Sequence, residues 1–219
     1  MSQLQFIDSA LKMPLMELPV RSVLVTVRDR RILISPGSKT PRETYSTMPD
    51  VTDIVAPNLL HSAGVPKAAA AFPKATLWAV SGLKEKRADI AWSKTLTKDE
   101  WSFGDELTLI PIDGMPSLNE VVFIHQASRT LIVTDLCFNM RHPKGLGTRL
   151  LQTVFGTYNR FAVSRLFTSA IKDREAFERS MKEILTHDFD NIVMSHGDEL
   201  KGGARVQLEA ALKERGLLS

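Results

Sequence analysis

The sequence predicts an α/β (α+β) domain, and three observations predict it. Short apolar, β-branched runs such as Thr52–Ala56, Leu107–Ile112 and Asn191–Met194 recur along the chain. Helical stretches fall between these runs and dominate the C-terminal third, an order that builds mixed layers rather than a bundle or an all-β sandwich. Pro, Gly and Asn punctuate the junctions, and no break is long or polar enough to separate two domains.

Taken in order, residues 1–20 are expected to form an N-terminal arm, with a short helix over Phe6–Met13 stopped by Pro14 and Pro19. Residues 21–219 form the single domain. Ser22–Arg28 and Arg31–Ser35 read as strands about an Asp29-Arg30 turn, and Pro36-Gly37 ends the second. Thr52–Ala56 is a buried strand stopped by Pro57-Asn58. Pro66 opens a compact helix, Lys67–Phe72, which Pro73 closes. Ala75–Val80 and Leu107–Ile112 are further strands, separated by Gly82 and the charged stretch Lys84–Asp89. Glu120–His125 and Thr130–Asp135 form a hairpin over the loop Gln126-Ala127-Ser128-Arg129. Helices follow at Thr148–Ala162, Asp173–Leu185 and Glu199–Arg215, the last ended by Gly216, with the strand Asn191–Met194 before it.

Composition narrows the function classes. With 28 Lys and Arg against 25 Asp and Glu, the net charge is +3, and no basic run reaches five residues. The sequence pI of 9.0 therefore reflects a small surplus, and no specific nucleic-acid partner is expected. The single cysteine, Cys137, excludes an intrachain disulfide and sits in an apolar run, where it reads as a buried hydrophobe. No charged-then-apolar leader opens the chain and no window of about 18 apolar residues exists, so a soluble, cytoplasmic protein without a membrane partner is the expectation. Oligomeric state is left open.

The hairpin carries the first chemical signal. Its four-residue loop pairs His125 with Thr130 and Phe123 with Ile132, and the same register sets Glu120 opposite Asp135. Two facing carboxylates repel, and a cation, a shared proton or a solvated strand end relieves them. Histidines stand at comparable strand ends: His61 follows the Thr52–Ala56 strand, and His196 follows Asn191–Met194. Imidazoles and carboxylates converging at strand ends suit zinc, iron or manganese. His125 points to the other strand face, His187 suits a helix end, and His142 has no evident partner. Gly145-Leu146-Gly147 before a helix offers a weak phosphate cradle, and Lys84, Lys86 and Arg87 offer either a solvated loop or an anion grip. No nucleophile elbow, Walker loop or dinucleotide fingerprint is present.

Three motifs resemble the metallo-β-lactamase superfamily. They are the strand–turn–strand–Pro-Gly order leading into a His-bearing loop, Leu-Ile-Val-Thr-Asp-Leu-Cys-Phe at 131–138, and Ile-Val-Met-Ser-His-Gly at 192–197. The segments 54–61, 71–75 and 120–135 resemble more closely an uncharacterised branch of it, and the likeness spans roughly residues 21–212. The resemblance implies a four-layer αβ/βα sandwich with metals in a groove at one edge, and metal-assisted hydrolysis of a small-molecule substrate. It makes Asp135 the metal-bridging aspartate and His196 the last histidine ligand. The superfamily's His-x-His-x-Asp-His motif reads Pro57, Leu59, His61 and Ser62 here, and its middle histidine reads Met115. The early Ile-Asp-x-Gly reads Ile34-Ser35-Pro36-Gly37. The ordinary dinuclear centre is thereby removed. Two expectations follow. Either one divalent metal is held by His61, Asp135 and His196, with Glu120 as fourth ligand or general base, or the fold persists as a metal-free binding module in which Asp135 and His196 bond each other or nearby backbone.

Overall fold

A computed structural model describes residues 3–218, and the chain folds into two sheets faced by helices. The first sheet has the order β1-β2-β3-β4-β5-β6, from Gln3–Met13, Met16–Val27, Arg30–Ile34, Asp53–Ala56, Thr76–Ala79 and Lys94–Thr95. The second has the order β13-β12-β9-β8-β7, where β7 is Leu107–Pro111, β8 Val121–His125, β9 Thr130–Val133, β12 Asn191–Met194 and β13 Leu200–Lys201. A two-residue pair, β10 (Phe138–Asn139) and β11 (Phe161–Ala162), lies apart. The helices are α1 (Arg42–Ser46), α2 (Val65–Ala71), α3 (Leu83–Lys86), α4 (Leu146–Phe155), α5 (Arg165–Ser169), α6 (Arg174–Thr186) and α7 (Ala204–Glu214).

Strand periodicity explains the layering. Val121, Phe123, Ile132 and Val193 point into a core shared with β2, β3, β4 and β5 of the first sheet, a core that also takes in Val65 and Ala68 of α2 and Leu83 of α3. The alternate residues Val122, Ile124, Leu131, Val133, Ile192 and Met194 face a second core filled by Phe167, Phe177, Met181, Ile184, Leu208 and Leu212 of α5, α6 and α7. Strands buried on both faces carry continuous apolar runs, as these do. The hairpin has the expected register, with Phe123 opposite Ile132 and His125 opposite Thr130.

Three expectations are corrected. Phe6–Met13 is not helical: it lies in β1, which pairs with β2 from Gln3↔Thr26 to Met13↔Met16. Residues 3–20 are thus part of the first sheet rather than an arm, and the Pro14-Leu15 break is a hairpin turn. The helix expected over Thr148–Ala162 stops at Phe155, because Gly156 takes the left-handed capping conformation at φ 69° and the chain turns into β11. The last helix begins at Ala204 rather than Glu199, and Leu200–Lys201 pairs with β12 instead.

The site is positioned by strand direction. β3 runs parallel to β4, and β9 parallel to β12, so the C-terminal ends of all four meet along one edge of the sandwich. The loops that leave those ends carry Ser35, Asn58 with His61, Asp135, and His196.

Candidate metal centre

Asn58 organises this edge. Its Oδ1 accepts the N–H groups of Leu60 and His61, both at 2.8 Å, which winds the loop after β4 and projects the His61 ring. Its Nδ2 donates across the sandwich to Thr134 Oγ1 at 2.9 Å and to Asp135 Oδ2 at 2.7 Å. The two sheets are thus pinned together where His61 and Asp135 meet.

His61 Nε2 lies 3.3 Å from Asp135 Oδ2, and His196 Nε2 lies 3.4 Å from Asp135 Oδ1. The two imidazoles meet edge-on with centroids 5.2 Å apart, and Phe138 stacks on His196 at 5.4 Å with an interplanar angle of 8°. One ligand atom from each of His61, Asp135 and His196 falls within 4.8 Å of the others, so the three can hold a metal ion.

The far sides of the rings are engaged as well. His61 Nδ1 lies 2.7 Å from Ser35 Oγ, which in turn accepts from Ser195 Oγ at 3.4 Å. His196 Nδ1 lies 2.8 Å from the Pro19 carbonyl. A carbonyl only accepts, so Nδ1 of His196 carries the hydrogen and, in the neutral ring, the Nε2 lone pair faces the Asp135 carboxylate. Two lone-pair donors 3.4 Å apart in a buried place repel unless a proton or a metal cation stands between them. The separations suit a metal: donors bound at about 2.0–2.1 Å to a tetrahedral ion stand about 3.3–3.4 Å apart. Protonation is the other solution, and Asp135 favours it. Its hydrogen bond and charge raise the His196 pKa against the opposing effect of burial. The Asp135 carboxyl, although desolvated, is driven well below the ordinary carboxylate range by His61 and His196.

Glu120 stands beside Asp135, as the hairpin register predicts, but its carboxylate does not join the converging group. It is fully buried, and its oxygens accept the main-chain N–H groups of Thr134 at 2.7 Å and Asp135 at 3.1 Å. The register brings it under Asp135, where it braces the turn. Burial and the Asp135 charge push its pKa up to about 7.

The remaining candidates have structural partners. Met115 is buried in the second core. Lys86 Nζ donates to the Leu59 carbonyl at 2.9 Å, and Arg87 donates to Ser62 Oγ at 3.2 Å while pairing with Asp89. Both steady the His61 loop. The N–H of Gly147 is taken by the Leu15 carbonyl at 3.0 Å, so Gly145 at the N-cap of α4 and Gly147 in its first turn serve close approach to the β1–β2 turn rather than a phosphate. Burial raises the Cys137 thiol pKa well above its ordinary value, which fits an inert core residue. The sequence did not single out Pro19 or Asn58 as site residues. A main-chain carbonyl has no side-chain signature, and Asn58 read only as a strand stop.

A cleft of about 460 Å³ opens at Asp135. Leu60, Leu118, Phe138, Leu166, Phe167 and Ala170 give it apolar walls, and among the described residues Lys172 is the one cation in its lining.

Comparison with solved structures agrees with this architecture. A metallo-β-lactamase from Pontibacter korlensis superposes with a TM-score of 0.65 at 13% identity, covering 97% of this chain and 99% of its own. The FIM-1 metallo-β-lactamase from Pseudomonas aeruginosa, in a mono-zinc form, gives 0.64 at 15% identity, covering 98% of this chain and 92% of its own. The metal-soaked Flv1 flavodiiron core from Synechocystis gives 0.68 at 14% identity, covering 97% of this chain and 59% of its own. The chain has the metallo-β-lactamase fold, whose members usually bind divalent metals. No protein-family model matches it, and no curated protein does.

Proposed function

We propose that this protein is a hydrolase that uses one divalent metal ion, zinc, iron or manganese, held by His61, Asp135 and His196. The observation that carries the reading is the orientation of His196. Its Nδ1–H is committed to the Pro19 carbonyl, so Nε2 is left as a lone pair aimed at a carboxylate that a second imidazole also approaches. Three ligands leave coordination positions open, which separates catalytic from closed structural centres. A metal there supplies Lewis acidity, polarising a carbonyl or phosphoryl group and making water a competent nucleophile near neutral pH. The chain's own groups do the rest. Pro19 and Ser35 orient the two rings, Asn58 holds Asp135, and the cleft's apolar walls exclude water from a bound small molecule. The substrate is an ester, amide or phosphoester with an apolar body. A reducing, cytoplasmic compartment suits the lone buried Cys137.

A second reading is supported by the same contacts. With His196 protonated, the cluster is an ion-paired clasp in a metal-free binding module, and the raised His196 pKa favours that state. Metal content separates the readings. Protein purified without chelator, or reconstituted with zinc, manganese or ferrous iron, is expected to hold one equivalent. His61→Ala and Asp135→Asn are expected to weaken binding at least ~100-fold, about 3 kcal/mol. No bound metal after reconstitution, or less than about a tenfold change in either variant, overturns the hydrolase reading. If metal binds, an esterase, lactonase and phosphodiesterase screen comparing loaded protein with His61→Ala identifies the reaction.

A further inference from the structure

Helix α4 is amphipathic the wrong way round for a soluble fold. Its buried residues are polar, Thr148 at 2% and Gln152 at 4% exposure, whereas Leu146 and Leu150 stand out at 74% and 68%. Val154 continues the exposed stripe one turn further, since residues four apart share a helix face. The inversion is anchored. Thr148 Oγ1 accepts the Glu17 N–H at 2.9 Å, and Gln152 Nε2 reaches Met140 Sδ at 3.0 Å.

The stripe extends beyond the helix. At its N-terminal end, the Gly147 N–H binds the carbonyl of Leu15, which sits at the β1–β2 turn with 76% of its surface exposed. Leu15 also occupies the left-handed region, at φ 62°, where glycine or asparagine fits with less strain. Neither burial nor turn geometry accounts for a leucine there. At the other end of α4, Arg165 Nη1 holds the Val154 carbonyl at 2.9 Å, and the neighbouring Leu166 is exposed. Leu166 and the exposed Leu60 line the mouth of the cleft beside Asp135.

Charge identifies the occupant. Residues 136–172 contain Arg141, Lys144, Arg149, Arg160, Arg165 and Lys172 and no Asp or Glu, so the segment carries six positive charges while the rest of the chain has 22 basic against 25 acidic residues. Lys144 pairs with Glu17 and Arg160 with Glu214, whereas Arg141, Arg149 and Arg165 donate to uncharged acceptors. Exposed leucines on a segment that carries Arg141, Arg149 and Arg165 without acidic partners complement an anionic amphiphile surface. A two-fold dimer through this face sets like charges against each other and is disfavoured. Among the described residues no helix is long and apolar enough to cross a membrane, so the contact is peripheral.

We propose that the face formed by the Leu15 turn, the outer side of α4 and Leu166 docks on an anionic lipid surface, with the cleft mouth turned toward the lipid. The test is flotation of the full chain with vesicles of phosphatidylglycerol and phosphatidylcholine, against vesicles of phosphatidylcholine alone. Binding at least tenfold tighter to the anionic vesicles is expected, weakening as salt screens the charge. Leu150→Glu is expected to lower that binding at least tenfold at unchanged melting temperature. Leu15→Gly relieves the turn, so it is expected to keep or raise the melting temperature while still weakening binding. His61→Ala is expected to bind vesicles like the parent, which keeps this result separate from the metal reading. Failure to float with anionic vesicles overturns the proposal. So does a concentration-dependent dimer that Leu150→Glu dissolves without vesicle binding, which assigns the face to a second copy. Binding that neither Leu150→Glu nor Leu15→Gly alters overturns it as well.

Discussion

Asp53 and Asp135 are both hydrogen-bonded carboxylates of one sandwich, Asp53 fully buried at the start of β4 and Asp135 part-exposed at the cleft just beyond the end of β9, and they are satisfied in opposite ways. Asp53 receives the Arg30 fork at 2.9 Å on each oxygen, the Trp78 indole N–H at 2.9 Å and the Thr52 hydroxyl at 2.7 Å. Each of these partners donates and has nothing else to offer the carboxylate, so the cluster is closed. Asp135 receives one amide hydrogen, from Asn58, and then faces two imidazole Nε2 atoms: that of His196 donates only in the charged ring, because its Nδ1–H is held by Pro19, and that of His61 can donate in the neutral ring when the Ser35 hydroxyl donates to Nδ1. One carboxylate is therefore a structural brace, and the other is the centre of a cluster that could hold a cation. The difference lies in whether a partner's proton can be replaced.

The largest effect expected from this contrast is on stability. Asp53→Ala leaves the Trp78 N–H and the Arg30 guanidinium without their acceptor, and is expected to cost about 3–5 kcal/mol of unfolding free energy. Asp135→Asn loses the attraction of two histidines but also the repulsion with Glu120, and without metal it is expected to cost less than about 1 kcal/mol. Denaturant midpoints of the two variants at pH 8 check this. Equal losses would make Asp135 a brace like Asp53 and would favour the metal-free clasp.

The next effect sharpens the comparison through hydroxyl groups. Ser35 Oγ holds the His61 ring, whereas Thr52 Oγ1 holds Asp53. Ser35→Ala is expected to weaken metal binding about 10–100-fold with little change in stability, because partners of this kind set ring orientation and ligand basicity. Thr52→Val is expected to cost about 1 kcal/mol of stability and leave metal binding unchanged. Calorimetric titration beside thermal unfolding of both variants separates the outcomes. A Ser35→Ala protein that binds metal as the parent does would show that His61 is oriented by its loop alone.

What the sequence revealed follows the same division between side chains and backbone. The two-sided apolar runs made β9 and β12 legible, and the hairpin register placed Glu120 next to Asp135. It could not say where the Glu120 carboxylate would point, since the Thr134 and Asp135 amides that turn it inward belong to a main-chain conformation. β1 has no local signature, because its residues are half-exposed and its order comes from pairing with β2, a contact outside any local window. The same pairing positions Pro19, whose carbonyl orients His196. Gly156 did carry a local signal, a glycine fit for a helix cap, and it ends α4. Asn58 shows the limit most clearly, because its bonds to Thr134 and Asp135 join positions more than 70 residues apart.

The smallest effect concerns protons. Glu120 has a folded pKa of about 7 against an ordinary value of 4.5, so folding takes up a proton between those values. The stability this contributes is fully present below about pH 4.5 and is lost as pH rises through 7. His196, also raised, acts in the same direction, while Asp135, lowered, contributes stability that is lost only on strong acidification. Glu120→Gln keeps an oxygen to accept the Thr134 and Asp135 amides and removes the ionisation. The slope of stability against pH between 5 and 7 is expected to flatten by less than one proton, about 1 kcal/mol per pH unit at most. Urea titrations of metal-free protein at several pH values check it. An unchanged slope would mean that the two amides keep Glu120 ionised beside Asp135, leaving two negative charges under the imidazoles and a stronger electrostatic demand for a cation between them.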